Sequence, residues 1–480
     1  MRKRYAAVAF DGRFRVAFVL FGGMVVFQSS QALDGPKIAY LVGVLVCLVG
    51  ALRAVWHARN TPEVKLGSPW IVASVALAVL IAISFFVART NGTSATDWLR
   101  DAANYALFAA VPVFALDGQA SASRKLLIGM LVVAGLLGGL SWSVEWLGRR
   151  QILELPFDRL VYPSAQLPSM LYVFAMANAL TARRRGAAWI AIAGVTLGLF
   201  LVTGTRSSLL LLIGPVAMAA IAGWSRIRPS MRALVMHWAV ALAVVLVFQL
   251  ALALPTILES RPAAVEPGSS SSAPTMVPSS QEPSVLEDRF TSLPTVLGNP
   301  AADDSVRERV AQYRAAWTLF ALSPIVGVGP GHSIEWIDVS GYPRSGFTAD
   351  TPLVMPAKFG LLGILVFLGF AGAYAVIARR AFQLDRGSVL TLALLGFGVV
   401  VIVGLPLGFL AEDKGASLAL ILLLALAFAE RHPVHSGSAQ PGESRPDLST
   451  NGDVRDDAKR PLLSFRHRPV QLAGSATARR

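Results

Sequence analysis

The sequence is poor in cysteine, histidine and charge. Of 480 residues, one is cysteine, six are histidine and 15% are charged. A single Cys47 inside an apolar run excludes a disulfide framework and a thiolate metal site. Between the apolar runs there is no Asp-x-Asp triad and no paired histidine, so metal ligation is not expected. A Walker A loop is also missing, so ATP hydrolysis is not expected and no cofactor is implied. No internal repeat stands out, direct or inverted. Basic residues do not alternate with aromatics and there is no zinc knuckle, so no nucleic-acid partner is expected despite a net charge of +14. Soluble domains carry about 25% charged residues, and the shortfall here argues against a soluble protein.

What is abundant is apolar sequence, 54% of the chain. It comes in runs of about 18 residues or more, the length a bilayer core demands of a helix. The expected fold is all-α, a polytopic transmembrane bundle of about twelve spans. The spans are read at 14–33, 37–56, 68–89, 97–116, 124–146, 165–183, 187–203, 205–224, 231–254, 354–378, 387–410 and 413–430. Residues 1–254 hold nine spans, 255–353 form one large loop, 354–430 hold three more, and 431–480 form a polar tail expected to be disordered. Within the loop, 259–284 is Ser/Pro-rich and also expected to be disordered, before a helix-like run over 305–322. The N-terminus mimics a signal peptide, but further spans follow at once, and an uncleaved first span is the simpler reading.

The positive charge sets the expected orientation. With a cytoplasmic N-terminus, the inside loops hold Arg2-Lys3-Arg4, Arg53, Arg59, Lys65, Arg124, Lys125, Arg183-Arg184-Arg185, Arg226, Arg228, Arg232, Arg379-Arg380 and Arg386. The short outside loops hold far fewer, and this asymmetry places both termini in the cytoplasm and the large loop outside. The chain is expected in the cell membrane, in contact with membrane lipid.

Arg206 is the only charge between Ala187 and Trp224. That stretch is twice the length of a span, and Thr203-Gly204-Thr205 is suited to turn it. The turn would lift Arg206 to the outer interface. There it either snorkels to headgroups or presents a fixed guanidinium to an anionic group, with Thr203, Thr205, Ser207 and Ser208 as hydroxyl donors.

In the large loop, Arg307, Arg314 and Trp317 share one helical face, and Arg309, Tyr313 and Ala316 or Trp317 a neighbouring stripe. Such a helix is either a clamp for phosphate or sugar, or an ordinary solvated amphipathic helix. Pro324 and Gly327, Gly329 and Gly331 should end it in a tight turn. Asp350, just before the tenth span, suits two roles: general base or N-cap of that span. His332, Glu335 and Asp338 are nearby alternatives for the base. Arg100, at the start of the fourth span, either pairs with Asp97 or Asp101 or adds a third positive charge to the same mouth.

At these residues the chain resembles the O-antigen ligase and O-antigen polymerase family of bacterial membrane glycosyltransferases. "LVTGTRSSLLLL" (201–212) is similar to that family's Thr-Gly-Ser-Arg stretch. "RERVAQYRAAWTLFALSPIVGVGPGHS" (307–333) resembles its Arg…Trp…Pro-x-x-Gly-x-Gly-x-Gly segment, and "KFGLLG" (358–363) its Gly-Leu-x-Gly opening of the span after the large loop. The motif-bearing part covers about 187–425. The resemblance implies metal-independent transfer of a glycan from a polyprenyl-diphosphate carrier to a glycan or lipid acceptor. It also implies phosphate-holding roles for Arg206 and for Arg307, Arg309 or Arg314. Ligases of this kind often show His-Asn where this chain reads Ala349-Asp350-Thr351. The departure makes Asp350 the candidate base and favours polymerase-like transfer, or an inactive relative. Two other classes compete: a transporter such as a lipid-linked glycan flippase, and a non-catalytic assembly protein.

Overall fold

A computed structural model describes residues 2–26, 35–58, 68–149, 166–181, 186–202, 213–222, 235–248, 304–405 and 414–431. Arg206 with its proposed turn, the 259–284 segment and the C-terminal tail lie outside the described residues.

The described chain is overwhelmingly helical. Among the described residues, nine helices precede the large loop: α1 (Arg2–Val26), α2 (Gly35–Ala58), α3 (Ser68–Thr90), α4 (Ala95–Ser121), α5 (Arg124–Arg149), α6 (Gln166–Thr181), α7 (Gly186–Val202) and α8 (Ile213–Ala222), then α9 (Val235–Phe248). The loop contributes α10 (Asp304–Leu322) and two strands, β1 (Ile334–Ile337) and β2 (Pro343–Gly346). α11 (Val354–Leu384), α12 (Val389–Gly404) and α13 (Lys414–Arg431) follow. Each expected span overlaps a described helix, several of them only in part. By length and composition, stretches of α2, α3, α4, α5 and α11 suffice to cross a membrane. α7, α9, α12 and α13 are apolar but shorter as described.

Helix starts follow local chemistry. Ser94 caps α4, its hydroxyl accepting from Asp97 N at 3.0 Å and donating to Asp97 Oδ2 at 2.6 Å. The first-turn Asp97 also complements the helix dipole. Ser388 caps α12 by accepting from Thr391 N at 3.1 Å.

The core forms around α4 and α13. α13 is buried along residues 415–428, as expected of a helix apolar on every side. α4 packs against α1, α2, α3 and α13. By contrast α2, α3 and α11 carry bands of exposed large apolar side chains, among them Val46, Val72, Phe86 and Leu365. Water penalises such bands and hydrocarbon does not.

α4 runs five residues past its expected end at 116, because Asp117 is needed inside. Its carboxylate pairs with Arg13 of α1, whose Nη1 also donates to Gly50 O at 2.9 Å. Three helices are thereby tied by one guanidinium, its charge met by a buried carboxylate. α9 supplies a second buried polar contact, with His237 Nε2 3.2 Å from Tyr172 Oη of α6.

The hairpin in the loop was not anticipated, since an all-helical loop was expected. β1 and β2 are antiparallel, with Ile334 opposite Gly346 and Ile337 opposite Pro343. Each strand has only four residues, too few for alternation to show in the sequence. What closes the hairpin is Asp338. Its Oδ1 accepts from Ser340 N and Tyr342 N, both at 2.9 Å, and its Oδ2 from Arg344 Nε at 2.9 Å. These bonds, the one from the Tyr342 amide foremost, hold the Asp338 carboxyl below the usual carboxylate range. A carboxyl lowered in the folded state stabilises it above its unfolded pKa of about 4, and that support fades as pH falls through the folded value. Protection of the Ser340 and Tyr342 amides against hydrogen exchange, relative to intrinsic rates at each pH, should therefore drop on acidification. In Asp338→Asn it should be low at every pH.

Candidate functional site

α10 divides its arginines between two faces. Gln312 and Ala316 are buried, and Ala315 and Leu319 pack on a small core of Ile334, Ala349 and Val354. Arg309 stands three and seven residues before Gln312 and Ala316, on that inner face. Its Nε is buried with no hydrogen-bond partner among the described residues. Arg307 and Arg314 point the other way and are exposed. Arg307 pairs with Asp304 one turn back, an exposed contact of small worth. The structure thus separates the inner Arg309 from Arg307 and Arg314, so the three do not form one cationic face.

Segment 347–354 is where the other elements converge. Gln312 Oε1 accepts from Asp350 N at 2.7 Å. Arg100 of α4 lays its guanidinium over the Phe347 ring, 4.6 Å from the centroid. Residues 347–350 therefore connect α4, α10 and the start of α11. Asp350 itself is exposed.

Two readings of the sequence need correction here. Asp350 is not the cap of α11. The N-cap is Leu353, which makes no side-chain capping bond, and it is Thr351 whose hydroxyl accepts from Leu353 N at 3.2 Å. Nor does Arg100 pair with Asp97 or Asp101. Asp97 is engaged with Ser94, and Asp101 faces inward to a different cation.

That cation is Lys358, which the sequence reading passed over. Its Nζ donates to Asp101 Oδ1 at 2.7 Å, and both side chains are essentially without solvent contact. Asp101 Oδ2 accepts from Gly331 N at 2.6 Å. The Lys358 ammonium also lies 5.5 Å from the Tyr105 ring centroid. The available signal was the residue type: a lone lysine within "VMPAKFGLLGILVFLGF" is costly in an apolar span unless paired inside the protein.

The glycine turn is bound into the same place. Val328 N donates to Ala357 O and Gly329 N to Lys358 O, at 2.9 and 3.0 Å. In return Leu361 N donates to Pro324 O at 2.8 Å. Asn91 Nδ2 reaches Val328 O at 2.9 Å from beyond α3. This exchange is possible because α11 is kinked at Gly360, where φ is 63° and ψ −157°. The kink frees backbone groups that the turn then satisfies.

Of the alternatives for the base, Asp338 is occupied in the hairpin turn, Glu335 is exposed on β1, and His332 is half-buried beside the glycine turn. Among the described residues, no three His, Cys, Asp or Glu side chains gather to hold a metal ion.

Apolar helices with lipid-ready faces, five of them long enough to cross a membrane, are consistent with a helical membrane protein, and an assembly of helix, hairpin and glycine turn is locked to one of them. Residues 189–377 match the family model described as O-antigen ligase, so this stretch of the chain is similar to that family. The matched stretch contains Arg206, Arg307, Arg309, Arg314, Asp350 and Lys358 but neither Arg100 nor Asp101. No curated protein matches the chain. The family supports a glycosyl-transferring role in polysaccharide biosynthesis, on lipid-linked glycan substrates.

Proposed function

We propose that this protein transfers or polymerises a polyprenyl-diphosphate-linked glycan at the outer face of the cytoplasmic membrane, in surface polysaccharide biosynthesis, without a metal ion. The observation that carries this reading is the 2.7 Å bond from Asp350 N to Gln312 Oε1. It holds the acid-bearing segment against the helix that carries Arg309. Asp350 takes the proton of an acceptor sugar hydroxyl as that oxygen bonds to the anomeric carbon. The bond from the anomeric carbon to the carrier diphosphate breaks, and its electron pair leaves with the diphosphate. Arg309 and Arg206, with Arg100 at the same mouth, stabilise the growing negative charge. Arg307 and Arg314, facing outward, serve in capturing the anionic donor. Both termini are cytoplasmic in this arrangement and about twelve helices span the bilayer.

The test is release of polyprenyl diphosphate from a lipid-linked oligosaccharide by the purified protein in liposomes. Arg309→Ala and Arg206→Ala should each lower the rate about 10²–10³-fold, the range for losing one transition-state donor. Asp350→Asn should lower it about 10²–10⁴-fold while keeping most of the stability. Full turnover by Asp350→Asn would remove it as the base. Movement of the lipid with no cleavage would replace transfer with flipping.

A further inference from the structure

The outward stripe of α10 has, around Arg314, an apolar composition that neither the buried core nor the proposed chemistry explains. Val310, Arg314, Trp317 and Ala321 recur at spacings of four, three and four, so they form one line opposite Gln312 and Ala316. All four are exposed. Beyond them Leu322 is 73% and Ile325 64% exposed, and Trp317 is 57% exposed. Large apolar groups in this number are not left in water without a partner.

What covers them follows from where the helix ends. Leu361 N bonds to Pro324 O at 2.8 Å and Leu362 N to Ile325 O at 3.3 Å. A Cβ on Gly360 would sit 2.3 Å from the Ile325 carbonyl carbon. Ile325 is therefore fixed at the level of the second turn of α11, where the exposed leucine band of that helix begins with Leu361 and continues through Leu365 and Leu368. The apolar end of α10 is continuous with the face that α11 turns to hydrocarbon. Back along α10 the order is Leu322, then Trp317, then Arg314. Aliphatic, then aromatic, then cationic is the order in which side chains meet hydrocarbon, interface and lipid phosphate.

We propose that α10 is an interfacial helix, whose Val310–Ile325 side lies on the lipid surface at which α11 begins, with Trp317 at headgroup level and Arg314 against lipid phosphate. An amphipathic helix docked in this way fixes the inner face that carries Arg309 at a constant height above the bilayer. The partner is the membrane itself, through phosphodiester headgroups and the upper acyl chains. This inference depends on α11 spanning the membrane and is independent of glycosyl transfer.

The test uses the full chain in lipid nanodiscs, with Cys47→Ala as background and single cysteines introduced as Leu322→Cys, Trp317→Cys and Glu335→Cys. Each site is exposed, so the fold should tolerate the spin label. Accessibility to oxygen relative to a water-soluble nickel chelate should be several-fold higher at 322 than at 335, with 317 between them. Equal, water-like ratios at 322, 317 and 335 would overturn the proposal. So would dipolar broadening at 317 and 322 in singly labelled protein, which would show a second copy of the chain in place of lipid. Glycan transfer by the same variants reports separately on the catalytic reading.

Discussion

Lys358→Met is expected to destabilise the protein by about 3–5 kcal/mol, the cost of leaving one partner of a buried ion pair uncompensated. The Asp101 carboxylate would keep Gly331 N as its only other donor named above, in a site with essentially no solvent. Two elements depend on that carboxylate: the glycine turn through Gly331 and the first turns of α11 through Lys358. The double variant Asp101→Asn with Lys358→Met should recover most of the loss, because a neutral amide can still accept from Gly331 N and methionine fills the lysine stem's volume. Survival of monodisperse protein after heating in detergent, read by size-exclusion chromatography, measures both. A single variant as heat-resistant as the parent would mean that water reaches Asp101. A double variant no better than the single would mean that the charge pair is not the source of the loss. Activity adds a distinction: the double variant should keep transferring glycan, since neither residue touches the reacting atoms in the proposed scheme.

How far the fold was legible follows the same physics. The helices were visible because apolar character is written in long runs, and each such run overlaps a described helix. α10 was visible from 305 to 322 because Pro324 and the glycines end it. The shorter features were not. The hairpin rests on strands of four residues and on one aspartate, a local device with no periodic trace. The arginines of α10 could be placed on stripes, but not which stripe faces the protein, because that depends on Ile334, Ala349 and Val354 arriving from later in the chain. The failed cap at Asp350 has a similar cause. The local signal was sound, but the segment is drawn toward Gln312 and Arg100 by tertiary contacts, and Thr351 takes the nearby backbone donor. Asp101 and Lys358 are 257 residues apart in sequence. Each alone reads as a membrane-edge charge, and only the fold makes them a pair.

Gly327→Ala is expected to be more damaging than any substitution on the helix surfaces, by more than about 4 kcal/mol, a range reserved for backbone or core collisions. Two costs combine at that position. Its φ is 72°, a left-handed conformation that costs an L residue about 1–2 kcal/mol. A Cβ there would also sit 2.2 Å from the Lys358 carbonyl carbon, 2.3 Å from its oxygen and 2.4 Å from Phe359 N. These are backbone atoms of the kinked turn in α11, so no side-chain rotation relieves the contact. Gly341 provides the control. Its φ is 84°, yet nothing lies within 4 Å of a Cβ built on it. Gly341→Ala should therefore show the left-handed cost alone, about 1–2 kcal/mol, confined to the hairpin tip. If Gly327→Ala lowers the melting temperature no more than Gly341→Ala, then the turn and the kink are not interlocked as described. If it abolishes the folded monodisperse species while Gly341→Ala does not, the glycines at 327, 329 and 331 are there for close backbone approach. That would give the Pro-x-x-Gly-x-Gly-x-Gly run a mechanical reason: the loop carrying α10 and Asp350 is fastened to the membrane helix at the one point where α11 opens its backbone.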